Sequence, residues 1–265
     1  MNKNKIFDFY YGDSNDLLGV FCECFNISDK FLTSFKEKAM KESYVTLYEY
    51  IKQQGKLNYS KEYEIVLAHL TTIDKTFILK NGLKSLRTLV SEEDNEINEL
   101  LNKYDLYIDY ENTCINYNGI KYDMEKLSYK LVEALVYENG CLNAFIYTHN
   151  ITNYNKAICE APEILYKLDF EFKLELVDEW KKRHDTAIPI VVFFKTNLSN
   201  LMMEDYRGET FCMIICKMIE NLLFGKEKSG GYEEIGLIND IKPENIIKIE
   251  DVNKSICCKP STMYY

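Results

Sequence analysis

Apolar and polar positions follow two different periods along this chain, which predicts a mixture of helices and strands. A helical period runs from Asp29 to about Gln54 and stops at Gly55. Continuous apolar runs at 63–70 and 188–195 predict buried strands. Further strands are predicted at 142–148, 232–238 and 245–250, and further helices at 75–80, 91–104, 123–138, 154–168, 173–184 and 209–224. The pattern indicates an α+β fold.

The stretch 105–122 alternates between apolar and polar residues, which predicts a β-hairpin between two helices. No change of composition and no Pro- or Ser-rich linker divides the chain, so we expect a single domain with insertions. The predicted parts are a helical N-terminal extension at 1–60, a core at 61–252 and a C-terminal tail at 253–265. The core contains an inserted helix–hairpin–helix at 88–140.

Composition favours a protein of the cytoplasm. Apolar residues make up 46% and charged residues 28% of the chain, which is ordinary for a water-soluble domain. No apolar run approaches the roughly 18 residues that a membrane span needs, and the first residues do not resemble a secretory signal. The nine cysteines lack metal-ligand spacing, so we expect reduced thiols and no metal site.

The charge balance bears on partners. The formal net charge is −10, and a surface of that sign repels a nucleic-acid backbone unless a local basic patch compensates. The only arginines are Arg87, Arg183 and Arg207, so bidentate phosphate clamps are scarce.

His69 lies at the end of the predicted strand at 63–70. Thr71 and Thr72 follow the strand, and Gly82 follows the short helix after them. An imidazole there has the chemistry to donate to a ribose hydroxyl, and the threonine hydroxyls to hold a carboxamide or a second ribose. A lone histidine at a strand end is usually structural. The ordered set of histidine, threonines, helix and Gly-Leu favours a binding role.

Two tyrosines follow the same logic. Tyr147 lies near the end of the predicted strand at 142–148, and Tyr154 opens the next predicted helix. A flat aromatic wall stacks against a nicotinamide ring through dispersion and cation–π attraction. The chain has 21 tyrosines, however, and packing alone explains most of them.

Glu233 and Glu234 begin the predicted strand at 232–238, after a Gly-Gly loop. A carboxylate in a partly dry pocket binds a ribose 2′-hydroxyl and stabilises the oxocarbenium ion that forms as nicotinamide leaves. Successive strand residues point to opposite faces, so only one of the two enters such a pocket. We favour Glu234 from the apolar pattern that follows it. The competing interpretation is a surface carboxylate on an edge strand.

These residues together resemble the ADP-ribosyltransferase superfamily, in its His-Tyr-Glu (diphtheria-toxin-like) branch. The nearest similarity is to DNA-modifying toxins of toxin–antitoxin systems. It is carried by His69-x-Thr71 with Gly82-Leu83, by Tyr147 with Tyr154 and Ala157, and by Glu234 with the run Ile241-Lys242-Pro243-Glu244-Asn245-Ile246. It spans about residues 63–250. It implies an ADP-ribosyltransferase-like split β-sandwich with a helical N-terminal cover.

The resemblance implies an NAD-dependent mono-ADP-ribosyltransferase, with NAD as a substrate and a role as a toxin or phage-defence effector. The resemblance implies that Glu234, His69 and Tyr147 carry catalysis, and that His69, Thr71, Thr72, Gly82, Tyr147 and Tyr154 bind NAD. Because arginines are few, backbone amides or lysines such as Lys80 and Lys84 would have to hold the pyrophosphate of NAD. The acidic surface favours a protein acceptor over nucleic acid, and the family implies an antitoxin or inhibitor protein as a partner. Residues 1–60 fit a lid, an inhibitor interface or a specificity module.

Three other functions compete. The chain fits a catalytically inactive fold of the same type that binds a nucleotide or a partner protein. An RNA 2′-phosphotransferase on this fold would also have to bind an RNA phosphate, which the net charge of −10 disfavours. The third is a purely structural or interaction protein. It competes because motifs as short as those of the resemblance also recur by chance in unrelated proteins.

Overall fold

The computed structural model describes residues 5–92, 95–137, 140–148, 156–183, 189–202, 210–225 and 232–252. Tyr154, residues 226–231 of the Gly-Gly loop that precedes Glu233, and the tail at 253–265 lie outside the described residues.

The fold is α+β, as the sequence predicts. The helices are α1 (Ser14–Cys24), α2 (Asp29–Lys41), α3 (Leu47–Gln53), α4 (Lys75–Asn81), α5 (Leu86–Ser91), α6 (Glu96–Lys103), α7 (Tyr129–Val132), α8 (Glu163–Phe172), α9 (Leu176–Arg183) and α10 (Phe211–Leu223). The strands are β1 (Ile6–Phe7), β2 (Glu64–Thr71), β3 (Leu106–Asp109), β4 (Cys114–Tyr117), β5 (Ile120–Asp123), β6 (Leu142–Thr148), β7 (Ile190–Asn197), β8 (Tyr232–Leu237) and β9 (Ile246–Asp251).

The larger sheet has six strands, in the order β8-β6-β2-β7-β9, with β1 paired beside β2. Strands β2 and β6 are antiparallel, with Ala68 opposite Phe145. Strands β7 and β9 are also antiparallel, whereas β1 runs parallel to β2. All five strands predicted at 63–70, 142–148, 188–195, 232–238 and 245–250 therefore occur, and they belong to one sheet.

The chain divides into two compact units. The first consists of residues 1–68, 145–149 and 195–235, and the second of 69–144, 150–194 and 236–265. In the first unit α10 packs on α1 and α3, and the ring of Phe211 lies 6.2 Å from that of Phe7. The second unit has a core around the fully buried Trp180, to which α6, α8 and α9 contribute.

The helical period predicted from Asp29 to Gln54 is two helices instead of one. Helix α2 ends at Lys41, and Thr46 starts α3 by accepting a hydrogen bond from the backbone N–H of Glu49. Met40 and Tyr44, which continue the apolar period, are 66% and 80% exposed. Their side chains do not pack into the core, so burial of these two residues does not favour a continuous helix through 42–46.

The stretch predicted as one hairpin at 105–122 is a three-stranded antiparallel sheet, β3-β4-β5. Tyr117 pairs with Ile120 across a two-residue turn of Asn118 and Gly119, whose φ angles are 50° and 75°. Two positive φ angles favour this Asn-Gly pair, which makes the tight hairpin. The inserted segment thus contains α5, α6, this small sheet and α7, which continues as a π-helix at Glu133–Tyr137.

Candidate functional site

His69 occupies the sixth position of β2, and its ring is fixed by the neighbouring strand. Its Nδ1 atom lies 2.7 Å from the carbonyl oxygen of Asn143 in β6. A carbonyl oxygen only accepts, so Nδ1 carries the proton and Nε2 keeps its lone pair. Burial lowers the pKa of His69, and the bond to Asn143 opposes that effect in part. The side chain is therefore a neutral acceptor at neutral pH, rather than the donor that the sequence suggested.

Thr71 and Thr72 follow at the end of β2, and both are 5% exposed. The Thr71 hydroxyl oxygen accepts a hydrogen bond from the backbone N–H of Ile73 at 3.2 Å. The Thr72 hydroxyl has no hydrogen-bond partner among the described residues. A buried hydroxyl without a partner is destabilising by about 1–3 kcal/mol. Thr72 therefore fits a position that a polar ligand would satisfy.

Gly82 ends α4 in a conformation that suits glycine. Its φ is +80°, and a Cβ atom there would lie 1.9 Å from the carbonyl oxygen of Ile241. The next residue, Leu83, forms a two-way backbone bridge with Ile241, with N···O distances of 2.9 Å and 2.8 Å. This close approach explains the glycine without a ligand. The role of Gly82 in cofactor binding stays a prediction.

Lys84, one of the lysines considered for a pyrophosphate, is already paired. Its Nζ atom lies 3.2 Å from a carboxylate oxygen of Glu92 and 3.5 Å from one of Asp240. Asp240 also accepts hydrogen bonds from the backbone N–H of Ser85 at 2.8 Å and from the Thr88 hydroxyl at 3.1 Å. Lys84 would have to exchange these carboxylates for a phosphate.

The remaining predicted residues lie in two further strands. Tyr147 belongs to β6, and Glu233 and Glu234 belong to β8. The Glu234 side chain is half-buried, and the residue after it, Ile235, is 2% exposed. Because side chains alternate along a strand, Glu234 faces away from the apolar side that Ile235 occupies.

The strand order places β8, β6 and β2 side by side, so Glu234, Tyr147 and His69 lie on three consecutive strands. His69, Thr71, Thr72 and Gly82 belong to the second unit, whereas Tyr147 and Glu234 belong to the first. Their convergence on one ligand stays a prediction.

Sequence reasoning missed Asn143 as the partner of His69. Any residue type supplies a backbone carbonyl, so no side-chain motif marks it. It also missed Asp240, whose carboxylate accepts hydrogen bonds from Ser85 and Thr88. The position of this aspartate directly before the Ile-x-Pro-Glu run was a signal that could have found it.

The described residues contain no group of three or more His, Cys, Asp or Glu side chains placed to hold a metal ion. The seven cysteines within them are not joined in disulfide bonds. Within the same part of the chain, no helix has both the length and the apolar character to cross a membrane.

Comparison with other proteins leaves the family open: no family model, no curated protein and no solved structure matches this chain.

Proposed function

We propose that this protein is an NAD-dependent mono-ADP-ribosyltransferase, a toxin or conflict-system effector that transfers ADP-ribose to a macromolecule. The observation that supports the proposal best is the state of His69. Its Nδ1–H donates to Asn143 and its pKa is lowered by burial, so Nε2 is a neutral acceptor. A ribose hydroxyl is a matching donor for that atom.

The proposed reaction breaks the bond between the nicotinamide nitrogen and C1′ of its ribose. The bonding electrons stay with the nicotinamide, which leaves as a neutral molecule, and the ribose becomes an oxocarbenium ion. The acceptor nucleophile then bonds to C1′ and loses its proton to solvent or to a nearby base. His69 would hold a ribose hydroxyl, and Tyr147 and Tyr154 would contact the ring.

Glu234 would stabilise the positive charge that develops on the ribose. A half-buried carboxylate suits this role, because partial removal of water strengthens its attraction for the oxocarbenium ion. The buried Thr72 hydroxyl, which has no partner among the described residues, supports a polar ligand beside His69. The net charge of −10 favours a protein as acceptor.

Incubation of the purified protein with NAD tests the proposal directly. We expect NAD to raise the unfolding temperature and free nicotinamide to accumulate. Mass spectrometry of host protein, DNA and RNA after expression would then identify the acceptor by the added ADP-ribose. Absence of both nicotinamide release and ADP-ribose adducts would rule out the transferase.

A second candidate, an inactive fold that binds a nucleotide or a partner, is favoured by the pairing of Lys84. Its contacts with Glu92 and Asp240 leave one fewer cation for the pyrophosphate, in a chain with few arginines. Thermal stabilisation by NAD without any turnover would support this candidate.

A further inference from the structure

Strand β9 is an edge strand within the part of the chain that the structure describes. Its one neighbour there is β7, and β9 and residues 190–194 of β7 belong to the second unit. Each of the six residues of β9 is at least partly exposed, and Ile247 is 50% exposed. An exposed edge presents a row of backbone N–H and C=O groups to which another strand can pair.

The hydrogen bonds to β7 show which backbone groups face outwards. The N–H of Val252 donates to the carbonyl oxygen of Pro189 at 2.8 Å, and the same register continues along β9. In an antiparallel ladder, residues that bond to the neighbouring strand alternate with residues that do not. Counting back from Val252, Glu250 and Lys248 bond towards β7. Ile249 lies between them and directs its N–H and C=O away from β7.

The sequence of β9 is complementary to itself in one antiparallel register. A two-fold axis perpendicular to the sheet brings one residue opposite its own counterpart in a second copy. With Ile249 on the axis, the two Ile249 residues form a hydrogen-bonded pair, because their backbone groups face outwards. Lys248 of each copy then lies directly opposite Glu250 of the other.

The neighbouring registers are disfavoured by charge. An axis at Lys248 would oppose two lysines, and an axis at Glu250 would oppose two glutamates. Like charges directly across a strand pair are destabilising, whereas opposite charges are stabilising. An axis nearer either end of β9 would shorten the overlap of the strands. Within one copy Lys248 and Glu250 already form an ion pair, so the Ile249 register joins two such pairs into one group of alternating charge.

We infer that the protein forms a homodimer in which β9 pairs antiparallel with β9 of a second copy, with Ile249 on the two-fold axis. The two sheets become continuous across this interface. The inference goes beyond the proposed function and does not depend on NAD. An interface of one short strand buries little surface, so the dimer is weak and its population depends on protein concentration.

Sedimentation velocity of the full chain over a wide range of concentrations tests the inference. The wild type should show a monomer–dimer equilibrium. Lys248→Glu places like charges opposite each other at two symmetric positions and should weaken the dimer on the order of tenfold. Adding Glu250→Lys to that variant exchanges the two charges and should restore the wild-type affinity. Lys121→Glu makes the same charge change at an exposed position of β5 and should leave association unchanged.

Ile249→Pro supplies an independent variant. Proline is tolerated on an edge strand where the lost N–H faces outwards, so the pairing of β9 with β7 should remain and the dimer should be lost. Circular dichroism and thermal unfolding check that the variant folds.

Amide hydrogen exchange measured by NMR tests the pairing in the wild type, without any substitution. The Ile249 amide should become more protected as the protein concentration rises. The Lys248 and Glu250 amides should already be protected at low concentration, because they bond to β7.

Three results would overturn the inference. The first is a wild-type protein that is monomeric at every concentration. The second is a dimer that both Lys248→Glu and Ile249→Pro leave unchanged, since association would then use another surface. The third is protection of the Ile249 amide that does not vary with concentration, which would mean that another segment of the same chain covers the edge. Loss of NAD cleavage would overturn the proposed function alone, because none of these measurements contains NAD.

Discussion

The Nδ1 atom of His69 lies 2.7 Å from the carbonyl oxygen of Asn143, on the neighbouring strand of the sheet. This contact fixes both the tautomer and the orientation of the ring, and burial keeps the ring neutral by lowering its pKa. The imidazole is therefore arranged as an acceptor, which matches a ribose hydroxyl better than a phosphate.

The lowered pKa of His69 predicts a pH dependence of stability. Below the ordinary pKa of about 6.5, the unfolded chain takes up a proton at His69 that the folded chain does not. The free energy of unfolding should therefore be highest above that pH and fall as the pH drops towards the folded-state pKa, by at most about 1.4 kcal/mol per pH unit from this group. Urea unfolding between pH 5 and pH 7.5 measures it.

His69→Gln is the control for that experiment, since glutamine still has an N–H for the Asn143 carbonyl but does not titrate. The wild type should lose more stability than the variant as the pH falls. Identical pH slopes in the two proteins would contradict the assignment of a half-buried, neutral imidazole.

Gly82→Ala should destabilise the fold by roughly 2–4 kcal/mol, because it combines a positive φ with a clash against the Ile241 carbonyl. Gly19→Ala is the matched control. Gly19 lies in α1, and outside its own stretch of helix no atom lies within 4 Å of an added Cβ, so that change should stabilise by about 0.5–1 kcal/mol. Denaturant unfolding compares the two, and a neutral Gly82→Ala would show that the bridge to Leu83 is not formed.

Asp240→Ala should cost about 1–3 kcal/mol of stability, because the part-buried N–H of Ser85 and the Thr88 hydroxyl both lose their acceptor. Glu92→Ala removes the other partner of Lys84, at a more exposed site, and should cost less than about 1 kcal/mol. Thermal or urea unfolding of both variants gives the comparison. Equal losses of stability in the two variants would mean that the ion pairs of Lys84, and not the hydrogen bonds to Ser85 and Thr88, account for the stabilisation.

The buried cysteines should resist alkylation in the folded protein. Burial raises the pKa of Cys22 and of Cys24 to about 12 and that of Cys212 to about 11, so few thiolates exist at pH 8. Cys141 is half-buried and should react before these three. Iodoacetamide labelling followed by peptide mass spectrometry measures the order, with urea-unfolded protein as the control. Rapid labelling of Cys24 would contradict its burial.

Much of the fold follows from local patterns. The strand at 63–70 is predictable because its apolar run is long enough to be buried on both sides, and α4 because Asp74 and Gly82 mark its ends. The apolar period does not predict that the helix at 29–54 is divided in two. Met40 and Tyr44 lie at apolar positions of that period and yet are exposed. Only tertiary packing distinguishes an apolar residue that is buried from one that is not.

The site is less predictable than the fold. The sequence shows His69 at a strand end, but its hydrogen bond depends on an antiparallel pairing with residues about seventy positions later. The sequence also suggested that the imidazole donates a hydrogen bond to a ribose hydroxyl. This was wrong, because the nitrogen that carries the proton already donates to the carbonyl oxygen of Asn143. For Gly82, two explanations fit the same residue. The Gly-Leu motif of the resemblance suggests a role in binding, and the close approach of the Ile241 carbonyl requires glycine for packing alone.

Glu234 is proposed to stabilise the charge that forms when nicotinamide leaves NAD, and a pair of variants at positions 233 and 234 tests this role. Glu234→Gln should lower nicotinamide release by about 10²-fold or more while NAD affinity stays close to that of the wild type. Glu233→Gln, one position earlier on the same strand, should keep its activity. Wild-type nicotinamide release by Glu234→Gln, whether Glu233→Gln loses activity or not, would rule out this role for Glu234.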